Sequence, residues 1–382
     1  MPTILAVKRV DRLLAGVLLA AQFGCDQNTA DDVSSLDAGP EEVIIWFEED
    51  VPLDTQYLSV WGRSHEDVWA VGWDEAIVHF DGTRWRAEPV ETTRSSTVPL
   101  PITSVHGADI PPDAPVDDPL FEPGPVFAVG WEGLILQRGV DGVWRDAPKA
   151  PGTATVTEDL FGVYVHDAEN AMAVGDTGTV WVWDGIEWSH PRFRVPGEFS
   201  GELIEPRGKL HAVWTDNGRR YYVVGSGGAA YRSSGEPTNF EAIDTRFAEP
   251  LRGVWGLANN DVYAVGLDSL ILRFTNQWRR VRDDGAEEVP TTFLFGIHGR
   301  RGNDFLVVGW RGVALHFDGR WNVEQTQVDA DLRSVWMAPQ VRAFPEDPAS
   351  PTLDISFAVG TSGAVLRREL PLPEDYVPPT GP

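Results

Sequence analysis

LSVWGRSHEDVWAVGWDEAIVHFDGTRW, residues 58–85, contains three short apolar runs, a turn and a tryptophan in an order that recurs to the end of the chain. Its clearest part is the apolar run VWAVG, which closes at Gly72. Six later runs of this kind close at glycines that follow one another at spacings of 41 to 58 residues. Self-similarity at such a period indicates a solenoid or a propeller. The seven glycines are Gly72, Gly130, Gly175, Gly225, Gly266, Gly309 and Gly360.

The runs within each unit have the composition of β-strands. They are about five residues long and rich in Val, Ile, Trp, Tyr and Phe, which suits a half-buried pleated surface. Turns such as Asp81-Gly82 and Asp318-Gly319 are typical of hairpins, because both positions tolerate a positive φ. Each unit therefore predicts an antiparallel meander of four strands, A to D. The seven units together predict an all-β fold, a seven-bladed β-propeller.

The two ends of the repeat region predict how the ring closes. The seventh unit ends at Arg368 without the tryptophan that marks a D strand, and a spare run, VIIW at residues 43–46, precedes the first A strand. We expect this N-terminal strand to complete the last blade. The completed blade would have no open sheet edge, which is otherwise a site of unwanted pairing.

From Val43 to Arg368 the chain resembles bacterial propellers of the YVTN/BNR (Asp-box-like) superfamily. The runs VWAVG and IVHFDGTRW of the first unit are especially similar to repeat lipoproteins of the myxobacterial type. More distantly, the chain is similar to the photosystem II assembly-factor propellers. The resemblance implies the propeller fold, but propellers serve many unrelated functions. The turn Asp81–Trp85 lacks the spacer of a true Asp box, SxDxGxTW, so no sialidase residues carry over.

The N-terminus has the pattern of an export signal. Three basic residues precede the apolar run Leu13–Phe23, which is too short to span a bilayer. The single cysteine, Cys25, directly follows Gly24, at the position where a bacterial lipoprotein is cleaved and acylated. We therefore expect a lipoprotein-type signal peptide over residues 1–25 and lipidation of Cys25. An ordinary secreted protein, or a cysteine buried by chance, is the alternative.

Composition divides the remainder of the chain and limits its partners. We expect an acidic disordered tether over residues 26–42, the propeller over 43–370 and a proline-rich tail over 371–382. The formal net charge of −27 disfavours nucleic acid, whose phosphates would repel the chain. It also disfavours anionic membranes, except through a lipid on Cys25. The expected partner is an envelope protein or a glycan, and we expect a monomer without a cofactor or a metal.

Tryptophan is abundant, and most of its 16 copies recur at strand positions where blades pack together. In strand C of the third blade, the alternation of Trp181 with valines suggests that at least one of Trp181 and Trp183 is exposed. Three further tryptophans directly follow the glycine of strand B, in the loop to strand C, where propellers usually present ligands. Each could instead only cover its own hairpin. The candidate ligand-binding residues are Trp73, Glu75, Trp131, Glu132, Trp310 and Arg311.

No motif for catalysis or metal binding stands out, so we assign no catalytic residues. The histidines repeat in pairs at equivalent strand positions, His79 with His316 and His106 with His298, which indicates structural roles. The favoured function is therefore a non-catalytic binding or scaffolding module of the bacterial cell envelope. The alternatives are a glycan-active, sialidase-like enzyme and an assembly chaperone.

An enzyme of sialidase-like build needs an arginine cluster and a nucleophilic tyrosine in one cavity. Arg252 and Arg333 occupy equivalent positions in strand A, and Tyr57 has no evident packing role. Convergence of these three side chains would favour the enzyme hypothesis, and their separation would count against it.

Overall fold

Seven antiparallel sheets, each built from strands A to D, make up the computed structural model of the protein. Six of the sheets have four strands and the sheet of blade 2 has five. The predicted signal peptide (1–25), tether (26–42) and tail (371–382) lie outside the residues that the structure describes. Those residues are 45–94, 98–109, 123–153, 156–196, 203–204, 206, 208–233, 235, 239–281, 290–343, 347 and 350–370.

The A and B strands form the inner half of each blade. Each A strand contacts the A strands of both neighbouring blades, and the last contacts the first, so the seven A strands form a closed inner ring. The A strands are Tyr57–Ser64, Ile102–Gly107, Leu160–Val165, Leu210–Thr215, Leu251–Ala258, Leu294–Arg301 and Leu332–Met337. The B strands are Asp67–Gly72, Val126–Gly130, Ala171–Gly175, Tyr221–Gly225, Asp261–Gly266, Asp304–Gly309 and Ile355–Gly360.

The C and D strands form the outer half. The C strands are Ile77–Phe80, Ile135–Arg138, Val180–Trp183, Ala230–Ser233, Ile271–Phe274, Ala314–Phe317 and Val365–Glu369. The D strands are Trp85–Ala87, Trp144–Asp146, Trp188–Ser189, Phe240–Ala242, Trp278–Arg280, Trp321–Glu324 and Ile45–Glu48. The D strand of blade 4 thus begins with Phe240 where the other six contain a tryptophan.

Short elements decorate the blades. Val90–Glu91 pairs in parallel with the D strand of blade 2, which accounts for its fifth strand. Two small hairpins join Val195–Pro196 to Leu203–Ile204 and Val341–Arg342 to Thr352–Leu353. Four B-to-C loops contain a 3₁₀ turn. These turns are Trp131–Gly133, Asp176–Gly178, Ser226–Gly228 and Trp310–Gly312.

The N-terminal strand completes blade 7, so the predicted fold class and ring closure are confirmed. Ile45–Glu48 pairs antiparallel with Val365–Glu369, and Trp46 lies opposite Arg368. The Trp46 side chain is buried and packs against blade 6, next to Leu306 and Val308. A strand from the start of the chain therefore contributes the tryptophan that the seventh unit lacks.

The glycine that ends each B strand is required by a close approach of the backbone. A Cβ added at Gly72 would lie 2.0 Å from the carbonyl oxygen of Gln56, the residue before strand A. In the other six blades the corresponding distance is 2.1 to 2.4 Å. Such distances exclude any side chain. At Gly130 the backbone is extended, with φ −159°, so the requirement there is steric and does not come from a left-handed conformation.

Aromatic side chains fill the spaces between blades. Trp61 of blade 1, for example, stacks on Trp69 of the same blade at 5.7 Å between ring centroids and lies 5.2 Å from His106 of blade 2. The expected exposure of Trp181 or Trp183 is wrong, because both are buried. Lys149, which follows the D strand of blade 2, lies over the Trp181 ring, so the neighbouring blade covers the outer part of strand C.

A polar network joins blade 1 to blade 2. Glu88 accepts hydrogen bonds from Nε and Nη2 of Arg138 and from the indole N–H of Trp144, the last at 2.7 Å. On the side of blade 1, His79 lies between Glu88 and Asp67, at 3.4 Å and 2.6 Å. One carboxylate thus connects a histidine of its own blade to an arginine and a tryptophan of the next.

The same network recurs where the ring closes. Glu324 of blade 6 accepts hydrogen bonds from Arg368 and from the indole N–H of Trp46 in blade 7. His316 lies 3.4 Å from Glu324 and 3.1 Å from Asp304. The paired histidine positions predicted to be structural, His79 and His316, therefore have the same role in two blades.

Candidate functional site

The loops from strand B to strand C share one backbone geometry. The residue after each B-strand glycine donates its N–H to the carbonyl that crowds the glycine, as Trp73 does to Gln56 at 3.0 Å and Trp131 to Pro101 at 3.1 Å. These contacts place the B-to-C loops beside the D-to-A connections on one side of the ring, which we call the BC face. Because this hydrogen bond involves only backbone atoms, the side chain after the glycine can vary. The other residues at this position are Asp176, Ser226, Leu267, Trp310 and Thr361.

Trp73 and Trp131 lie together on the BC face, across the boundary between blades 1 and 2. Their ring centroids are 5.4 Å apart and the ring planes are inclined at 68°, an edge-to-face contact. The two residues are 37% and 36% exposed. Such a pair contributes about 0.5–1.5 kcal/mol beyond its buried area. The structure therefore brings together two of the three predicted tryptophans and leaves more than a third of each in solvent.

A shallow groove of about 490 Å³ runs beside Trp73 towards blade 7. Thr55 forms part of its floor and donates to the carboxylate of Asp74 at 3.3 Å. The wall on blade 1 includes two carboxylates, Asp54 and Asp74, and the wall on blade 7 is a small, polar loop. The lining residues are Asp54, Thr55, Gln56, Trp73, Asp74, Thr361, Ser362 and Gly363.

The two predicted glutamates differ in their surroundings. Glu75 forms an ion pair with Arg94, and its backbone N–H donates to Leu100, so this carboxylate holds the connection that leads into blade 2. Glu132 has an exposed side chain and a positive φ of 54°. Its backbone N–H donates to Asp159 at 3.1 Å. Of the two, Glu132 is the carboxylate that faces solvent next to Trp131.

Trp310 belongs to a different aromatic pair. Its ring lies 5.6 Å from that of Phe293, and the two residues are 43% and 39% exposed. Arg311 lies over the Trp310 ring at 5.7 Å and pairs with Asp329 at 2.9 Å, a contact that raises the pKa of Arg311. No ring contact joins Trp310 to Trp73 or Trp131 among the residues that the structure describes. Phe293 was not predicted, because it lies in a connection outside the repeat.

The central channel opens on the BC face through a ring of bulged residues. In every blade the A strand has a β-bulge at its second residue, where one residue of strand A has no partner in strand B. We call this ring the channel mouth. Its seven members are Leu58, Thr103, Phe161, His211, Arg252, Phe295 and Arg333.

Tyr57 does not join the two arginines of the channel mouth. It is fully buried, and its hydroxyl donates to the carbonyl of Leu53 at 2.9 Å. Burial, with a smaller contribution from Asp54, raises the pKa of Tyr57. A buried phenol whose proton is held in this way is poorly placed to act as a nucleophile. The three side chains named for a sialidase-like site therefore do not converge.

Two further observations concern only the described parts of the chain. No group of three or more His, Cys, Asp or Glu side chains is arranged to hold a metal ion there. Nor does any helix in those parts combine the length and apolar character needed to cross a bilayer.

The fold and its bulged A strands define a seven-bladed β-propeller with an open channel mouth. No protein-family model matches the chain, and no curated protein matches it in sequence. Solved structures match it in fold. YCF48 bound to D1 peptide matches with a TM-score of 0.57 and 15% identity, over 89% of this chain and 100% of that one.

Two other solved propellers show comparable similarity. YCF48 from Cyanidioschyzon merolae has a TM-score of 0.56 and 12% identity, over 85% of this chain and 98% of that one. The WD40 beta propeller domain of Doa1 has a TM-score of 0.53 and 12% identity, over 85% and 96%. The distant resemblance to photosystem II assembly-factor propellers is thus confirmed at the level of the fold.

Proposed function

We propose that the protein is a non-catalytic binding module that recognises a segment of another protein on its BC face. The observation that carries this proposal is the contact between Trp73 and Trp131, two indoles that meet across a blade boundary while both stay exposed. The blade does not need them, since polar residues such as Asp176 and Ser226 occupy the same position elsewhere. Aromatic anchors of this kind dominate binding energy at protein interfaces.

A protein segment suits this surface better than a glycan. In an edge-to-face pair one indole covers part of the face of the other, which leaves less flat surface on which a sugar ring could stack. The adjoining groove is open and shallow, as expected for an extended segment. One of the propellers of similar fold is YCF48 bound to D1 peptide, which also supports this choice. Recognition of a glycan by the same tryptophans is the alternative outcome.

We further propose that the protein acts in the bacterial cell envelope as a lipoprotein. The support comes from the sequence: a basic start, the apolar run Leu13–Phe23 and the single Cys25 directly after it. The resemblance to bacterial repeat lipoproteins of the YVTN/BNR type agrees with this pattern. A secreted form without lipid is the alternative.

Partner binding by matched variants tests the proposed function. The full-length protein is screened against envelope proteins and a glycan array, and the affinity of each binder is then measured for Trp73→Ala/Trp131→Ala. We expect a protein binder whose Kd rises at least tenfold, about 1.4 kcal/mol or more. Phe47→Ala, which removes an exposed aromatic from the outer strand of blade 7, is the control and should leave Kd unchanged.

Three outcomes would contradict the proposal. Binding that is unaffected by the double variant would remove the tryptophan pair from the interface. Equal losses in the double variant and in Phe47→Ala would indicate a general effect on the fold. Glycan binders that depend on the pair, without protein binders, would replace the protein segment with the glycan alternative.

A further inference from the structure

Five of the seven residues of the channel mouth are cationic or aromatic side chains from consecutive blades. The guanidinium of Arg252 in blade 5 lies 3.5 Å from Nδ1 of His211 in blade 4. The guanidinium of Arg333 in blade 7 lies 4.4 Å from the ring centroid of Phe295 in blade 6. Blade 6 is the blade that separates Arg333 from Arg252. His211 in turn contacts the ring of Phe161 in blade 3 at 5.9 Å. These contacts span five consecutive blades.

The positive charges in this chain are incompletely neutralised. Arg333 pairs with Asp331 at 3.0 Å, and Lys209, beside His211, lies 3.6 Å from Asp176. No carboxylate of a described residue lies within 4.0 Å of the Arg252 guanidinium. Burial, followed by repulsion from Arg333, lowers the pKa of Arg252, so the two guanidiniums act on each other. Uncompensated repulsion of this kind is unexpected in a chain of net charge −27.

The fold does not require arginine at these positions. The bulge is present in all seven blades, and in other blades the bulged residue is leucine, threonine or phenylalanine, as at Leu58, Thr103 and Phe161. The backbone therefore forms the bulge with any of these side chains. Two arginines at the equivalent position of nearby blades, one of them without a carboxylate partner among the described residues, are more typical of a binding site than of packing.

We propose that the channel mouth is a binding site for a carboxylate group of a peptide, held by Arg252 and Arg333 with His211 beside them. Guanidinium groups match a carboxylate through paired N–H donors, which makes arginine the preferred residue for this task. Guanidinium groups also match phosphate, so inorganic phosphate is one of the probes in the test. The site goes beyond the Trp73–Trp131 pair and uses none of its residues.

His211 supplies a readout of occupancy. Its Nε2 lies 3.1 Å from the hydroxyl of Ser226, and its Nδ1 faces Arg252. Burial, then Arg252 and Lys209, lowers the pKa of His211 to about 4, and Asp176 opposes the shift. A carboxylate bound at Arg252 would offset the positive charges around the imidazole. The pKa of His211 must therefore rise when the site is filled.

The test measures the pKa of His211 by NMR in the full-length protein. The histidine signal is assigned by its loss in His211→Gln. The probes are N-acetyl-glutamate amide, its neutral glutamine counterpart, an acetylated dipeptide with a free C-terminal carboxylate, and inorganic phosphate. We expect the pKa to rise with the glutamate probe or with the free terminus and to stay unchanged with the glutamine probe. Comparison of the glutamate probe with the dipeptide distinguishes recognition of a side-chain carboxylate from recognition of a chain terminus.

Matched variants establish which residues hold the probe. Arg252→Gln and Arg333→Gln should each abolish the response, and because other blades carry uncharged residues at this position, both variants should stay folded. Arg280→Gln, an exposed position in the D strand of the same blade as Arg252, should keep the full response. The proposal is overturned if the glutamine probe acts as well as the glutamate probe or if phosphate binds more tightly than either carboxylate. Loss of the response in Arg280→Gln, or unfolding of both arginine variants, would overturn it as well.

Discussion

Trp46 donates its indole N–H to the carboxylate of Glu324 at 2.7 Å, across 278 positions of the sequence. Trp46 lies in the sheet of blade 7 and Glu324 in the sheet of blade 6. Between blades 1 and 2, Trp144 donates to Glu88 at the same distance of 2.7 Å. The N-terminal strand therefore makes the same contact with the preceding blade that the D strand of blade 2 makes. Closure of the ring reproduces the boundary between blades 1 and 2.

Removal of the Trp46 side chain should strongly destabilise the propeller. Trp46→Ala deletes a buried aromatic that packs against Leu306 and Val308 and leaves a hydrogen-bonding position of Glu324 empty. Truncation of a buried Trp or Phe costs about 3–5 kcal/mol. Urea unfolding followed by circular dichroism measures the change in the free energy of unfolding.

Phe47→Ala is the matched control for Trp46→Ala, since the next residue of the same strand is 44% exposed. Its effect should stay within about 0.5 kcal/mol. Equal effects of the two variants would show that Trp46 does not hold the closing strand to blade 6.

The carboxylate of Glu324 should be far more sensitive to removal than that of an exposed ion pair. Burial is the largest single influence and opposes the charge on Arg368, but the hydrogen bonds and charges of Glu324 and Asp354 together outweigh it and raise the pKa of Arg368. Glu324→Ala leaves this buried guanidinium with one carboxylate, Asp354 at 3.0 Å, and should cost about 3–5 kcal/mol. Glu324→Met/Arg368→Met should cost much less than the sum of the two single changes.

The more exposed pair Arg232–Glu241 provides the comparison for the buried one. Glu241→Ala should change the free energy of unfolding by no more than about 1 kcal/mol. Additive single and double changes at Glu324 and Arg368 in the urea experiment would contradict a coupled pair.

Acid should destabilise the protein, and His106 and His298 should make the largest contributions among its histidines. Burial lowers the pKa of His106 and of His298 to about 3, against 6.5 in an unfolded chain. Above pH 6.5 both are neutral in either state, and their contribution to stability is complete. As the pH falls from 6.5 towards 3, these two histidines become protonated in the unfolded chain but stay neutral in the folded one. Stability should fall by up to about 1.4 kcal/mol per pH unit for each histidine.

His106→Asn/His298→Asn should flatten the pH dependence between pH 6.5 and 4.5. Each Nδ1 accepts a backbone N–H, from Val165 at 3.2 Å and from Met337 at 3.0 Å, and an asparagine oxygen can accept in its place without titrating. The slope of the free energy of unfolding against pH is the readout, because a smaller side chain lowers stability at every pH. A slope like that of the wild type, or equal flattening in the partly exposed His166→Asn, would refute this assignment.

Replacement of Cys25 should separate the protein from the membrane. The expected lipid on this residue is the only membrane attachment that we propose, and one acyl chain alone holds a protein only marginally. Cys25→Ser should therefore abolish acylation and leave the protein unprocessed or in the fraction without membranes. Fractionation and mass spectrometry of the N-terminus measure both effects. Membrane-bound protein with an unmodified Cys25 would contradict the prediction.

The repeat predicted the fold because its residues serve the backbone of every blade. The glycine that ends strand B, Gly72 in the first unit, is present in all seven units because a carbonyl oxygen approaches it too closely for any side chain. The missing tryptophan of the seventh unit predicted the closing strand for the same reason: Trp46 fills a position that every blade must fill with a large aromatic. Local patterns of this kind can be read from the sequence without knowledge of the contacts.

The candidate sites depend on relations between blades, and these were only partly predictable. The sequence identified Trp73 and Trp131 as equivalent but not as neighbours in contact, and it grouped Trp310 with them although its partner is Phe293. It also gave no sign of the bulge that places Arg252 and Arg333 at the channel mouth. Side-chain reach across a blade boundary follows from the three-dimensional arrangement, and no periodicity in the sequence encodes it.

The position of the closing strand also fixes the order in which the protein can be completed. Ile45–Glu48 is synthesised first, but its pairing partner, Val365–Glu369, is synthesised last. At about 5–20 residues per second, the ribosome needs on the order of tens of seconds to make the chain between them. During that time blade 7 does not exist and the tryptophan at position 46 has no site to fill. The earliest strand of the propeller must therefore remain unpaired until the final blade emerges. The first strand to be synthesised is thus the one that completes the ring.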